Sequence, residues 1–157
     1  MFKLSRLTDY GVVVLGKMAQ MRGEMATAPD LAETTTLPQP TVAKILKLLA
    51  REGVLTSHRG TNGGYALERD PLEITIAEVI AALDGPVALT ACVDGVEGQC
   101  GVESLCPMRG RWDKLNSAVR GALESVTLAE IIAADGAPDF IGAGGENEET
   151  RATGTAG

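Results

Sequence analysis

Aromatic side chains are scarce in this chain, with two Phe, two Tyr and one Trp among 157 residues. The core must therefore be aliphatic, built from Leu, Ile, Val, Ala and Met. Histidine is limited to His58, so none lies near a cysteine. There is no C-x2-C pair, which argues against a zinc ribbon and a thioredoxin-like redox site. No Gly-rich nucleotide loop follows a strand pattern. These absences together argue against an enzyme, a thiol oxidoreductase included. No apolar run approaches the roughly 18 residues of a membrane span; the longest, Gly11–Leu15 and Val79–Leu83, are short. No membrane partner is expected. The N-terminus, Met1-Phe2-Lys3-Leu4-Ser5-Arg6, lacks the apolar region and cleavage site of a secretory signal, so a cytoplasmic location is expected. The length permits one compact domain, or a small domain with an appendage, and excludes a TIM barrel of about 250 residues.

Charge is unevenly spread. The net charge of −7 divides into a balance of +2 over residues 1–70 and −9 over residues 71–157. Such a split is a hint of one nucleic-acid-facing part, because the local field and not the total governs phosphate contact.

The apolar pattern predicts mainly helix. Leu7, Tyr10, Val14, Leu15 and Met18 recur at helical steps, with Gly23 as a stop signal. Thr27, followed by Ala28-Pro29-Asp30, reads as the start of a short second helix ending near Thr36. Leu37-Pro38-Gln39-Pro40 is a turn. A third helix is predicted from about Pro40 to Glu52, with Val42, Ile45, Leu46 and Leu49 on one face and Lys44, Lys47 and Arg51 on the others. Val54–His58 and Tyr65–Leu67 read as strands of a hairpin around Arg59-Gly60-Thr61-Asn62-Gly63-Gly64, with Arg59 at its tip. Ile76–Leu83 forms a further helix. A long helix is expected from about Met108 to Ser125, striped by Trp112, Leu115, Val119 and Leu123. A short last helix starts at Thr127, where Glu130 completes a capping-box pattern. From Asp135 the composition turns to Gly, Ala, Glu and Thr, the signature of a disordered tail.

Three short helices followed by a Gly-rich hairpin is the order of a winged helix-turn-helix. A helix entering the major groove needs an apolar face for anchorage and a polar face toward bases and phosphates, and the third helix has both. Gln39, Thr41 and Lys44 near its start are the expected base-facing residues, and Lys47 the expected phosphate contact. Arg59 suits a narrow minor groove, with the wing glycines allowing close approach of the backbone. The alternative is that the third helix presents only a solvated face. His58 reads as a packed strand residue, a wing contact or a ligand.

Cys92, Cys100 and Cys106 have the spacing C-x7-C-x5-C. Three thiols within fifteen positions of an aperiodic segment point to a metal or cluster, since thiolates select zinc or iron–sulfur groups. Buried inert thiols and a reactive thiol switch are the other readings.

The segments Leu4-Ser5 with Thr8-Asp9-Tyr10-Gly11, Leu37-Pro38-Gln39-Pro40-Thr41-Val42 with Lys44-Ile45-Leu46-Lys47, Arg59-Gly60 with Gly63-Gly64-Tyr65, and the three cysteines resemble the Rrf2 family of transcription regulators. The resemblance runs from about residue 1 to 134. Residues 85–92 and 106–112 look most like the branch that regulates the SUF iron–sulfur assembly operon, and the nitric-oxide-sensing branch is also similar.

This resemblance implies a repressor that binds palindromic double-stranded DNA as a homodimer, with a long C-terminal dimerisation helix. It implies an iron–sulfur cluster, of 2Fe–2S or 4Fe–4S type, held by Cys92, Cys100 and Cys106. The ISC-regulating branch takes a His three residues after the third Cys; Arg109 stands there in this chain and cannot ligate. In the nitric-oxide-sensing branch an Asp of the partner subunit's first helix fills the role, and Asp9 matches that position. His58, Glu103 and a small exogenous thiol are the alternatives. The expected organisation is a winged helix-turn-helix over 1–84, a cysteine-bearing loop over 85–108, dimerisation helices over 109–134 and a tail over 135–157. A zinc- or thiol-responsive DNA-binding regulator is the rival reading, and an adaptor that uses the winged domain without DNA is a further one.

Overall fold

The computed structural model describes residues 3–21, 23–89 and 111–133. In chain order these form α1 (Arg6–Gln20), α2 (Ala28–Thr35), α3 (Gln39–Arg51), β1 (Thr56–His58), β2 (Gly64–Ala66), α4 (Ile76–Asp84), α5 (Asp113–Glu124) and α6 (Leu128–Ala133). The architecture is mainly helical with one antiparallel hairpin, as the sequence pattern predicts. The three cysteines, Glu103, Arg109 and the tail lie outside the described residues.

Local signals account for most helix ends. Ser5 caps α1, its side chain accepting from the amides of Leu7 and Thr8. Thr27 and Asp30 form a reciprocal capping box on α2, and Thr75 and Glu78 do the same on α4; each box satisfies amides that a helix start leaves unpaired. Thr36 adopts φ +57° after α2. The three residues 36–38 then turn the chain into α3, the short connection a helix-turn-helix requires.

The predicted apolar face of α3 is the centre of the core. Val42, Ile45, Leu46 and Leu49 are fully buried in one cluster with Val14, Leu15 and Met18 of α1, Leu31 of α2 and Val79 and Leu83 of α4. Burial of each such side chain contributes about 1.5–3 kcal/mol. Val54 and Leu55 belong to this cluster and not to a strand. Their amides bond back to Leu49 O after Gly53 takes φ +75°, so the strand starts two residues later than its apolar pattern indicates.

In the wing, Thr56 pairs with Ala66, Ser57 with Tyr65 and His58 with Gly64. The last pair closes a five-residue loop, so Arg59 is its first residue and not its tip. A bridge between Ala26 and Tyr65, with both N–H to O distances 2.9 Å, ties the wing to the strand-like residue ahead of α2. That bridge explains one glycine: a Cβ on Gly64 would stand 2.8 Å from Ala26 O. A Cβ on Gly63 would crowd the carbonyl oxygens of His58 and Gly60. Gly63 thus serves close packing within the wing loop, and Gly64 the packing of the wing on Ala26.

The C-terminal helices return to this core. A bridge joins Thr75 to Thr127, with Ile76 N–H on Val126 O at 2.9 Å and Leu128 N–H on Ile74 O at 2.7 Å. Leu128 is fully buried, and Ile132 packs against the same cluster. The expected long helix is shorter than predicted: Arg111 and Trp112 form a turn, and α5 starts at Asp113. Asp113 supplies the first-turn negative charge that favours a helix start there; residues 108–110 lie outside the described residues. The stripe is split in its surroundings. Trp112 (38% exposed) and Leu115 (47%) face outward, Val119 and Leu123 are half-buried, and Asn116 (7%) faces in.

One polar clamp links the two ends of the winged region. Asp84, the last residue of α4, accepts from Ser5 Oγ at 2.6 Å, Thr8 Oγ1 at 2.7 Å and Ser5 N–H at 3.3 Å. Burial alone raises the Asp84 carboxyl, but the bonds from the Ser5 and Thr8 hydroxyls and the Ser5 amide outweigh it and hold it below its ordinary value.

Two outcomes follow for stability. Gly64→Ala forces Ala26 or β2 to shift and is expected to cost about 1–3 kcal/mol, read as a lower urea midpoint; an unchanged midpoint shows that the bridge yields freely. A carboxylate whose folded pKa is depressed stabilises the fold above its unfolded value and loses that contribution as pH falls through the folded one. Asp84→Asn should therefore cost about 1 kcal/mol near neutrality, a figure discounted for partial exposure. Stability of the variant should fall less steeply than wild type below about pH 4. Parallel acid limbs for the two proteins contradict this.

Candidate functional site

The apolar stripe of α3 points inward, so its polar positions are forced outward. Gln39, Lys44 and Lys47 are exposed and Thr41 is half-buried. Arg51 is also exposed but its Nε pairs with Glu52 Oε1 at 2.8 Å. Among the described residues, no hydrogen bond or ion pair engages the side chains of Lys44, Lys47 or Arg59. Within α3 and the wing loop, these three cations are available to phosphate. Arg59 stands at the start of the wing loop, exposed, beside the 2.9 Å bridge that fixes the wing against the start of α2. The wing and α3 are thus held by one set of backbone and core contacts, the condition for two elements to grip one duplex together.

His58 is not the packed residue its strand position predicts. It is exposed, its Nε2 3.1 Å from Glu68 Oε1, while Thr56 Oγ1 donates to Glu68 Oε2 at 2.9 Å. Alternation along β1 puts residues 56 and 58 on one face, where a single carboxylate serves both.

Asp9 stands in the first turn of α1, exposed, its amide donating to Ser5 O at 3.2 Å and its carboxylate with no hydrogen-bonding partner among the described residues. Its neighbour Thr8 is buried and tied to Asp84. Among the described residues no group of three or more His, Cys, Asp or Glu side chains could hold a metal ion. Cys92, Cys100 and Cys106, the residues expected to hold one, lie outside them. What the described residues define is where that segment is anchored. Leu89 N–H donates 3.1 Å to Oδ1 of the buried Asn116 on α5. Residues 90–110 then lead back to Arg111, two residues ahead of α5. Arg111 stands two residues ahead of α5 and Asn116 is the fourth residue of that helix, so the two positions lie on the order of 10 Å apart. Both ends of the cysteine-bearing segment are therefore fixed at the N-terminal part of one helix.

Sequence reasoning singled out neither Asp84 nor Asn116 as positioning groups. Ser5 ahead of an apolar stripe was a readable cap signal. The bonds from Asp84 to residues 76 and 79 positions away had no local signature. Nor did a single Asn next to a leucine stripe mark an inward face.

The described residues contain no helix long and apolar enough to cross a membrane. A family model, Rrf2, described as an iron-dependent transcriptional regulator, matches residues 4–134. The transcriptional regulator NsrR of Bacillus licheniformis is 30% identical over 131 residues, covering 83% of this chain and 92% of that protein. The regulator IscR of Photorhabdus laumondii is 31% identical over 131 residues, covering 81% and 79% respectively. Among solved structures, CymR, the global cysteine regulator of B. subtilis, matches with a TM-score of 0.61 at 26% identity, over 85% of this chain and 98% of that one. The IscR structure from T. potens matches with a TM-score of 0.57 at 26% identity, over 84% and 87%. These relatives are named regulators and not enzymes, and they do not single out the SUF-regulating branch. A winged fold matched over nearly all its described length by one family model leaves no other assignment: the chain belongs to the Rrf2 family of iron-dependent transcriptional regulators.

Proposed function

We propose that this protein is a homodimeric repressor that binds palindromic DNA and responds to an iron–sulfur cluster, controlling cluster-assembly genes of the SUF type. The observation that carries the reading is the double anchorage on α5 of the segment bearing Cys92, Cys100 and Cys106. Fixing the two ends of a 21-residue stretch close together lowers the closure entropy of gathering its three thiols.

The donor set fits the group. Three soft thiolates and one carboxylate oxygen suit iron–sulfur chemistry, and Asp9 is the exposed, unengaged carboxylate among the candidates described. When bound, the cluster supplies an iron held by a hard, weaker ligand, open to iron starvation, oxidants or nitric oxide. The protein's residues do the rest. Cys92, Cys100 and Cys106 hold the group, and Asp9 reaches it from the first helix of the partner protomer. The outward part of the α5 stripe, Trp112 and Leu115, forms the dimer seam with Val119 and Leu123. Gln39, Thr41 and Lys44 face bases, Lys47 faces phosphate and Arg59 the minor groove. In this organisation residues 1–84 read DNA, 85–108 sense and 109–134 dimerise, while α6 also completes the reader's core.

Two α3 helices must stand about one DNA turn, 34–36 Å, apart to read a palindrome. Release of Asp9 frees α1, and α1 packs directly on α3. A rotation worth about 1–3 kcal/mol changes affinity 5–150-fold. The resemblance of the sequence motifs to the nitric-oxide-sensing branch makes nitric oxide the alternative signal within the same scheme. The likeness to the global cysteine regulator favours the rival in which the cysteines act as thiols.

Anaerobically purified protein is expected to be coloured and to contain iron and sulfide, and Cys→Ala at position 92, 100 or 106 should bleach it. Colourless protein with stoichiometric zinc, or with free thiols alone, establishes the rival. Asp9→Ala should still assemble the group but lose it faster; unchanged decay moves the fourth ligand elsewhere. Lys47→Ala and Arg59→Ala should each weaken binding to a selected duplex and lower the salt slope by about 1. Full affinity in both removes them from the interface.

A further inference from the structure

We infer that Asp84 is the positioning residue for Asp9: by holding Ser5 and Thr8, it sets the rotation of the first turn of α1 from the point where the chain departs toward its cysteines. The inference rests on the reading of Asp9 as the oxygen ligand.

The geometry is specific. Asp84 Oδ1 takes the Ser5 hydroxyl at 2.6 Å, and Oδ2 takes the Thr8 hydroxyl at 2.7 Å and the Ser5 amide at 3.3 Å. Ser5 Oγ meanwhile accepts from the Leu7 and Thr8 amides at 3.1 and 3.2 Å. The carboxylate and the helix start thus share one hydroxyl, and a rotation of the turn breaks bonds on both sides of it. Thr8 is only 1% exposed, so its hydroxyl has no water to turn to if Asp84 withdraws. A buried donor left unpaired is costly, which makes the clamp stiff.

Asp9 is the residue after Thr8, and in a helix successive side chains point about 100° apart. Locking Thr8 inward therefore directs Asp9 outward, where it is exposed. Asp84 itself is a poor ligand candidate, since both its oxygens already accept hydroxyl or amide donors. Directly after it Gly85 takes φ +91°, a conformation open to glycine, and the chain turns away from α4. The clamp therefore spans the start of the reader's first helix and the root of the sensing segment.

The test uses the full-length protein purified without oxygen, with bleaching followed after addition of an iron chelator. Asp84→Asn keeps the shape and removes the charge; Thr8→Val keeps the shape and removes the donor. Each should speed bleaching about fivefold, the factor that one net hydrogen bond of about 1 kcal/mol confers. In an Asp9→Ala background neither should speed it further, because the residue they position is gone. A merely structural role would instead multiply with Asp9→Ala. In protein stripped of metal, hydrogen exchange at the Leu7, Thr8 and Asp9 amides should rise in Asp84→Asn.

Bleaching that depends on Asp9 but not on Asp84 or Thr8 overturns this inference alone. Multiplying effects, or unaltered exchange in Asp84→Asn, also overturn it. Wild-type protein with no chromophore overturns the proposed function and this inference together.

Discussion

Helix α1 is packed on three sides at once, and residue 11 being glycine is what permits it. A Cβ there would collide with Leu83 Cδ1 of α4 and reach within 3.9 Å of Ile45 Cγ2 of α3. The side chain of Leu83 therefore occupies the space a side chain at position 11 would take, with Ile45 of α3 alongside. Five residues on, Gly16 leaves room for Ile132 of α6, whose Cγ2 would stand 3.3 Å from an added Cβ. Among the described residues, the elements proposed to bear on function pack on or adjoin this arrangement. α3 carries the outward cations, α4 ends at the root of the cysteine segment, and α6 follows the proposed dimer helix.

Close packing of this kind makes a helix a poor absorber of strain. Interiors at near-crystalline density transmit small displacements instead of damping them. Gly11 of α1 lies against Ile45, on the inward face of the same helix that presents Lys44 and Lys47. The wing shares this rigidity through its bridge at Ala26, which stands directly ahead of the α2 cap at Thr27. The winged region and the root of the cysteine segment are for this reason joined through one packed core.

Much of this was legible in the sequence because its causes are local. The α3 stripe, the Thr27–Asp30 box, the start at Thr75 and the Thr127–Glu130 box are encoded within a few residues. The outward positions of Gln39, Lys44 and Lys47 follow from the inward ones by helical period alone. The illegible parts are those whose partners are distant. Asp84 lies just beyond the apolar run Ile76–Leu83 and carries no local signal of a partner, yet its bonds go to Ser5 and Thr8. Gly63 and Gly64 read as an allowance for DNA, yet it is the wing's own carbonyls and that of Ala26 that exclude a side chain there. His58 reads as packed because strand alternation cannot see Glu68 beyond the hairpin. Val54 and Leu55 read as strand because apolar runs do not distinguish a strand from the buried turn that closes a helix.

The central claim is that the state of the cysteine segment sets how firmly α3 and the wing hold DNA. Its most direct measurement is the affinity of one protein preparation for one selected duplex, under argon and at fixed salt, before and after removal of its iron. The expected change is about 5–150-fold, the range that a coupling of about 1–3 kcal/mol produces. Equal affinity in the two states would show that the reader does not sense what the cysteines hold.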